Sequence, residues 1–304
     1  MSSKNSPMTI GPNKLTKKLS LGTAQFGLNY GIGNRAGKVE YNEVKSIIKS
    51  AQSSGVKWLD TAMGYGVSEK VLGAIGVKEW QITTKLPAVP PTCKDVAHWC
   101  NWRLNDSFKN LGVEAVYGLL LHQPDQIFSS FGPDLISFLR DARVQGRVKK
   151  IGVSIYSPEE ISPLLDFFDF EIVQAPISIA DRRLLNSGTF KELKANGIEL
   201  HARSVFLQGL LLMHADKRPD SFSRWKPFFL EWDRWISQQR LSPLEACLSF
   251  IAFIDDVDRI IIGVDSGLQL KEVLFLQLTA LASLPQWPTI VDTKLIDPRE
   301  WAQS

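Results

Sequence analysis

The sequence predicts a single α/β domain folded as a (β/α)8 barrel of the TIM type. Three observations carry this expectation. Eight short apolar segments alternate along the chain with segments of helical periodicity. Most of the apolar segments lack period-two alternation, the pattern of parallel strands buried on both faces. The connections are short, and repeated strand–helix units of this kind build a parallel sheet that eight units can close.

Taken in order, residues 1–18 read as an N-terminal tail and 19–304 as the barrel. Met1 to Pro12 is polar and lacks the apolar core of a signal peptide. Lys14, Lys17 and Lys18 form a small basic cluster, read as solvated. The first strand is Leu19–Thr23. The turn Asn29–Lys38 follows, and its Gly31, Gly33 and Gly37 do not meet a GxGxxG phosphate-loop pattern. The helix Glu40–Ser54 places Val44, Ile47, Ile48 and Ala51 on one face and stops at Gly55. Val56–Asp60 and Gln81–Lys85 are the second and third strands. The helix Asp95–Asn110 carries Val96, Trp99, Leu104 and Phe108, and Ala115–His122 is the fourth strand. The helix Asp134–Gln145 (Leu135, Phe138, Leu139, Ala142) leads to the fifth strand, Val148–Val153. Ser157–Pro158 opens the next helix, with serine as cap and proline in the first turn. Glu171–Ala175 and Glu199–Ser204 are the sixth and seventh strands. The charged stretch His214–Lys226 reads as an extended loop over the barrel mouth. Ser242–Pro243 repeats the cap device before Leu244–Phe253. Arg259–Gly263 is the eighth strand, and Gly267–Leu278 (Leu270, Val273, Leu274) the last helix.

The 44% hydrophobic and 22% charged shares describe a soluble globular chain. A chain of 304 residues buries a sizeable core without disulfides or metals. The net charge of +3 has no dominant block, so nothing calls for nucleic acid. No apolar run reaches the ~20 residues of a membrane helix, and the cytoplasm is the default address. Cys93, Cys100 and Cys247 form no CxxC motif and read as buried or partly buried thiols in helices. No metal is expected, and nothing sets an oligomeric state.

Four residues point to chemistry: Asp60, Tyr65, Lys85 and His122. Each stands at or just past the end of a predicted strand, and in a parallel barrel the C-terminal strand ends converge on one pocket. Singly, each has an ordinary alternative. Asp60 would serve as a cap, Tyr65 as packing on Trp58, Lys85 as a strand-end lysine, and His122 as a loop histidine. Together, at consecutive strand ends, an acid, a phenol, an amine and an imidazole point to proton transfer. A free phenol has a pKa near ~10, too high for easy transfer at neutral pH. A neighbouring ammonium stabilises the phenolate, and a carboxylate keeps that ammonium charged.

These residues carry a resemblance to the aldo-keto reductase family. It rests on LDTAMGYGVSEKVLG from Leu59, a strand ending in Lys85 and LLLHQPD ending at Asp125, and extends from Leu21–Gly22–Thr23 to Ile262–Gly263. The resemblance implies reduction of a small aldehyde or ketone by NADPH, with NADH as the alternative. It assigns Tyr65 as acid/base, Lys85 and Asp60 as its tuning pair, and His122 as the group that orients the carbonyl. It also implies a dinucleotide site. Gly22 and Thr23 lie in it, with Ser154 on the carboxamide, and Gln174 matches the family's cofactor-site glutamine at the end of the sixth strand. Arg203 stands where a tyrosine often stacks on the nicotinamide, with Ser204 beside it. Gln208–Gly209 turns against the diphosphate. Gly263, Asp265, Ser266 and Gln269 lie at the adenosine end. Ile155 stands where the family often has asparagine, and Asp265 where it often has a basic residue; the latter favours NADH. The helix starting near Gly267 is expected to offer its N-terminus to an anion. Phe26, Tyr30, Tyr156 and Phe206 are candidates for the substrate pocket. Two rivals are a nicotinamide-sensing regulatory subunit without turnover and a sugar-modifying lyase or epimerase on the same barrel.

Overall fold

In a computed structural model, residues 9–34, 36–287 and 292–303 are described. Among the described residues ten strands run β1 (Thr9–Ile10), β2 (Leu19–Gly22), β3 (Trp58–Asp60), β4 (Gln81–Leu86), β5 (Val116–Leu121), β6 (Val148–Ser154), β7 (Ile172–Pro176), β8 (Glu199–Arg203), β9 (Arg259–Gly263) and β10 (Leu278–Thr279). Strands β2 to β9 pair in sequence order, all parallel, and β9 returns to β2 through Leu19↔Ile260 to Gly22↔Gly263. The eight barrel strands fall where the apolar runs put them, with ends shifted by a residue or two.

The strands form where they do because both faces are covered. Outward residues such as Leu19, Leu21, Leu59 and Ile82 meet helix faces carrying Ile47, Ile48, Leu104 and Leu139, all buried. The caps are in place. Asp95 accepts from the His98 N–H at 2.8 Å, and Gly112 ends that helix in the left-handed conformation at φ 69°. Ser242 and Glu245 form a reciprocal capping box.

The lower barrel is closed by polar packing. Trp58 and Tyr117 meet edge to face at 4.6 Å, and the Arg259 guanidinium lies 3.7 Å over the Trp58 ring. Glu199 accepts from Tyr117 Oη at 2.6 Å and Lys150 Nζ at 2.7 Å, and pairs with His201 at 3.2 Å. Burial works against that carboxylate, but these partners hold it well below the usual range. This layer plugs the bottom of the barrel.

Three expectations need correction. Residues 9–18 are not a free tail. Thr9–Ile10 pairs antiparallel with Leu278–Thr279, and the helix Pro12–Lys18 buries Leu15. Lys18 Nζ donates to the Ile254 carbonyl at 2.9 Å, so the basic cluster is partly engaged. Residues 1–8 lie outside the described residues. The helix expected through Leu278 ends at Leu274, because Leu278 belongs to β10. The stretch 214–226 is not an extended loop. It winds into short 3-10 turns that bury Phe222 and Trp225, and Arg218 ties it to Asp233 at 2.7 Å in the helix Lys226–Gln239. Among the described residues, no helix is long and apolar enough to cross a membrane. Cys93, Cys100 and Cys247 are free thiols, and burial pushes Cys100 up to about 12.

Candidate active site

The end of β3 places Asp60 and the end of β4 places Lys85, both on the barrel interior. Lys85 is fully buried and Asp60 nearly so. Lys85 Nζ donates to Asp60 Oδ1 at 2.6 Å, to the Thr61 carbonyl at 2.9 Å and to Tyr65 Oη at 3.4 Å. Burial works against the ammonium, but Asp60 and Tyr65 more than offset it, so Lys85 sits above the ordinary lysine value and stays charged. The second oxygen of Asp60 accepts from Gln174 Nε2 at 2.6 Å, across the barrel from β7. Gln174 Oε1 is buried and has no partner.

Tyr65 is set by backbone. The chain after β2 passes so close that a Cβ on Gly27 would lie 1.8 Å from the Tyr65 carbonyl oxygen. Only glycine fits, and it locks the turn carrying Tyr65. Thr23 adds to the lock: its N–H and hydroxyl both donate to the Asp60 carbonyl at 3.0 Å, and Ser68 donates to the Thr23 carbonyl at 2.9 Å. Thr23 thus orders the backbone that carries the acid. His122 follows β5, its ring 6.0 Å from the Tyr65 ring in an edge-on arrangement. Burial, with Lys85 and Arg203 nearby, lowers the imidazole to about 4, so it is neutral at physiological pH.

A pocket of about 480 Å³ opens at the C-terminal strand ends. It takes in Tyr65, Asp60 and Gln174 at one side and runs past β8 and β9 at the other. Gly22, Thr23, Arg203, Ser204, Gln208, Gly209, Gly263, Asp265 and Gln269 line it. Ser154 does not; it is buried in register with Gln174. Ser266 caps the following helix, its hydroxyl accepting from the Gln269 N–H at 3.2 Å. Of the aromatic candidates, Tyr30 and Phe206 line the pocket, Phe26 is a fully buried core residue, and Tyr156 stands behind Arg203, 4.2 Å from its guanidinium.

Over residues 18–283 the chain matches the model of the aldo/keto reductase family. The chain belongs to the aldo/keto reductase family. A 6-dehydroglucose reductase of Novosphingobium aromaticivorans is 25% identical over 157 residues, 47% of this chain and 51% of that protein. The match therefore spans about half the length of that relative. An NADH-specific methylglyoxal reductase of Escherichia coli is 25% identical over 237 residues, 64% of this chain and 69% of that protein. The holo form of a Bacillus halodurans aldo-keto reductase shares the fold, with a TM-score of 0.66 at 18% identity over 84% of this chain and 85% of that one.

The family's pattern left the β8–β9 side least defined, and there the structure adds partners that the sequence did not suggest. Asn34, on the turn after β2, donates to Asp265 Oδ1 at 3.2 Å, and Gln269 Oε1 accepts from the Asp265 N–H at 2.7 Å. Burial raises the Asp265 carboxyl, and Gln269 partly opposes that. Gly33 and Gly209 meet through their backbones, a Cβ on Gly33 falling 3.7 Å from Gly209 Cα. Glu43 Oε1 accepts from the Gly267 N–H at 2.6 Å. The helix N-terminus expected to be open to an anion is thus already met by a carboxylate. Ser204, Leu207 and Gln208 take positive φ values of 59°, 49° and 52°. Such a cluster of left-handed non-glycine residues costs free energy and is typical of ligand-binding loops.

Proposed function

We propose that this chain is an NAD(P)H-dependent reductase of aldehydes or ketones in which Tyr65 is the general acid. The observation that carries the reading is one buried ammonium, Lys85 Nζ, bonded at once to Asp60 Oδ1 at 2.6 Å and Tyr65 Oη at 3.4 Å at the edge of the main pocket. A bound reduced nicotinamide would supply the hydride. Tyr65 Oη donates its proton to the oxygen of the carbonyl being reduced. Lys85 stabilises the phenolate that remains, and Asp60 keeps Lys85 charged in a site where burial opposes charge. Neutral His122 holds the carbonyl oxygen through a ring N–H, and its low pKa keeps that role independent of pH across the physiological range.

The residues present fit a nicotinamide. Gln174 Oε1 is a buried acceptor without a partner, and a carboxamide NH2 is a donor of the right kind for it. Gln174 also fastens to Asp60, so the carboxamide contact and the catalytic pair share one anchor. At the other side Asp265 and Glu272 line the pocket, and Glu43 occupies the Gly267 N–H. Three carboxylates around this rim oppose a 2′-phosphate and suit ribose hydroxyls. The reading therefore favours NADH over NADPH. The NADH-specific relative from Escherichia coli supports this choice.

The test is turnover of a panel of carbonyl compounds with each cofactor, followed by loss of absorbance from the reduced nicotinamide. Consumption of NADH ahead of NADPH is the expected result. Tight binding of either cofactor with no turnover of any carbonyl would favour the regulatory-subunit alternative.

A further inference from the structure

Arg203 ends β8 on the barrel interior and lines the pocket with Tyr65 and Tyr30. Its guanidinium is held at three points. Nη2 donates to the Ile155 carbonyl at 2.9 Å, Nη1 donates to Ser204 Oγ at 3.2 Å, and the plane lies 4.2 Å over the Tyr156 ring. Arg299 also lies over the Tyr156 ring, at 3.5 Å, so the ring contacts two guanidinium groups. Arg299 is itself fixed by Asp297, with bonds of 3.0 and 2.6 Å. The chain's C-terminal segment thus backs Arg203 and limits where it points.

Among the described residues Arg203 makes no direct ion pair, although its charge is felt at Asp297. Asp297 is committed to Arg299, and Asp60 to Lys85 and Gln174. With Lys85 and Asp60 cancelling and His122 neutral, the Tyr65 side of the pocket carries one uncompensated positive charge. That charge reaches the site, since Arg203 is among the groups that depress His122. A guanidinium has five N–H donors in a planar fork matched to a carboxylate. Two are used within the protein, so donors remain for a ligand.

We propose that Arg203 binds an anionic group on the substrate, so that this chain acts preferentially on aldehydes or ketones that carry a carboxylate. This rests on the reductase reading above. It also gives Arg203 a different task from stacking on the nicotinamide, the role that the family resemblance suggests.

The test uses matched pairs that differ in charge alone: 4-oxobutanoate with its methyl ester, and 4-formylbenzoate with its methyl ester. Wild type should favour the acid of at least one pair by roughly tenfold or more in kcat/KM, chiefly through KM. Arg203→Gln should cut the acid's kcat/KM by roughly 10- to 100-fold, the span of a charge-assisted hydrogen bond. The acid should lose at least about fivefold more than the ester, and more than any change in the NADH Kd. Arg203→Lys should keep part of the preference, and added salt should weaken it. Equal acid-to-ester ratios in wild type and Arg203→Gln overturn the proposal. So does an equal loss for acid and ester together with weaker NADH binding, which would place Arg203 against the cofactor. A second arm does not need turnover: calorimetric binding of benzoate to the NADH-loaded protein. Benzoate binding that Arg203→Gln abolishes supports the proposal even if no aldehyde is reduced. Binding that is equal in both proteins, or absent from both, contradicts it.

Discussion

The corner where β3 and β4 end and the rim where β8 and β9 end are built by different rules. In the corner, Asp60, Lys85, Tyr65 and Gln174 are joined by side-chain bonds of 2.6 to 3.4 Å, and glycine contact behind Tyr65 fixes its turn. At the rim, a turn after β2 crosses to Asp265 through a single hydrogen bond of 3.2 Å donated by the Asn34 amide, and three non-glycine residues hold left-handed backbone. In the corner Asp60, Lys85 and Gln174 are buried and interlocked with half-buried Tyr65, so its parts cannot vary independently. The rim is half-open and assembled from loops, so its residues can change without loss of the barrel. The family pattern is complete in the corner, whereas the departures Ile155, Arg203 and Asp265 lie outside it. Under the function proposed above, the corner carries the proton transfer and the rim the choice of cofactor and substrate.

If this division holds, breaking the corner should have the largest effects. Lys85→Met should lower carbonyl reduction by ~10²-fold or more, the scale of general acid catalysis. It also leaves Asp60 as a buried carboxylate without its cation, which costs ~3–5 kcal/mol. Chemical denaturation and steady-state rates would show both losses, and an unchanged rate in a folded variant would reduce Lys85 to a strand-end lysine.

A rim substitution should be milder and selective. Asp265→Arg should tighten NADPH binding by roughly 10- to 100-fold relative to NADH, with the gain shrinking as salt rises. Fluorescence titration of both cofactors measures it. Equal changes for the two would move Asp265 away from the ribose.

A third effect is one of pH, and acts on stability rather than on activity. His122 is held at about 4 in the folded protein against an ordinary value near 6.5. Between those values the unfolded chain binds a proton that the folded chain refuses, so stability falls as pH drops through that window. The ceiling is ~3 kcal/mol. His122→Gln should flatten the fall in Tm between pH 6.5 and 4. An equally steep fall in the variant would assign the acid sensitivity to other groups.

Much of the corner was legible in the sequence because its residues sit at strand ends, and strand ends follow from apolar runs. The eight barrel strands and most helices were legible for the same reason. What the sequence did not show are contacts between distant segments. Gln174 was read as a cofactor contact, yet one of its amide atoms serves Asp60, 114 residues away. Glu43 reaches Gly267 across 224 residues, and nothing local marks it as a cap. The pairing of Thr9–Ile10 with Leu278–Thr279 joins two-residue strands, too short for any periodicity. Phe26 looked like a pocket aromatic because it follows a strand, but it points into the core. Arg203 was visible as a departure, while its contact with Tyr156, a ring it shares with Arg299, was not.

The most direct test of the central claim is the rate of carbonyl reduction by Tyr65→Phe at saturating cofactor, with the cofactor Kd measured on the same protein. The ring and its packing are kept and only the phenolic proton is lost. The account predicts a fall of ~10²-fold or more with the Kd nearly unchanged. Near-normal turnover by this variant would contradict it.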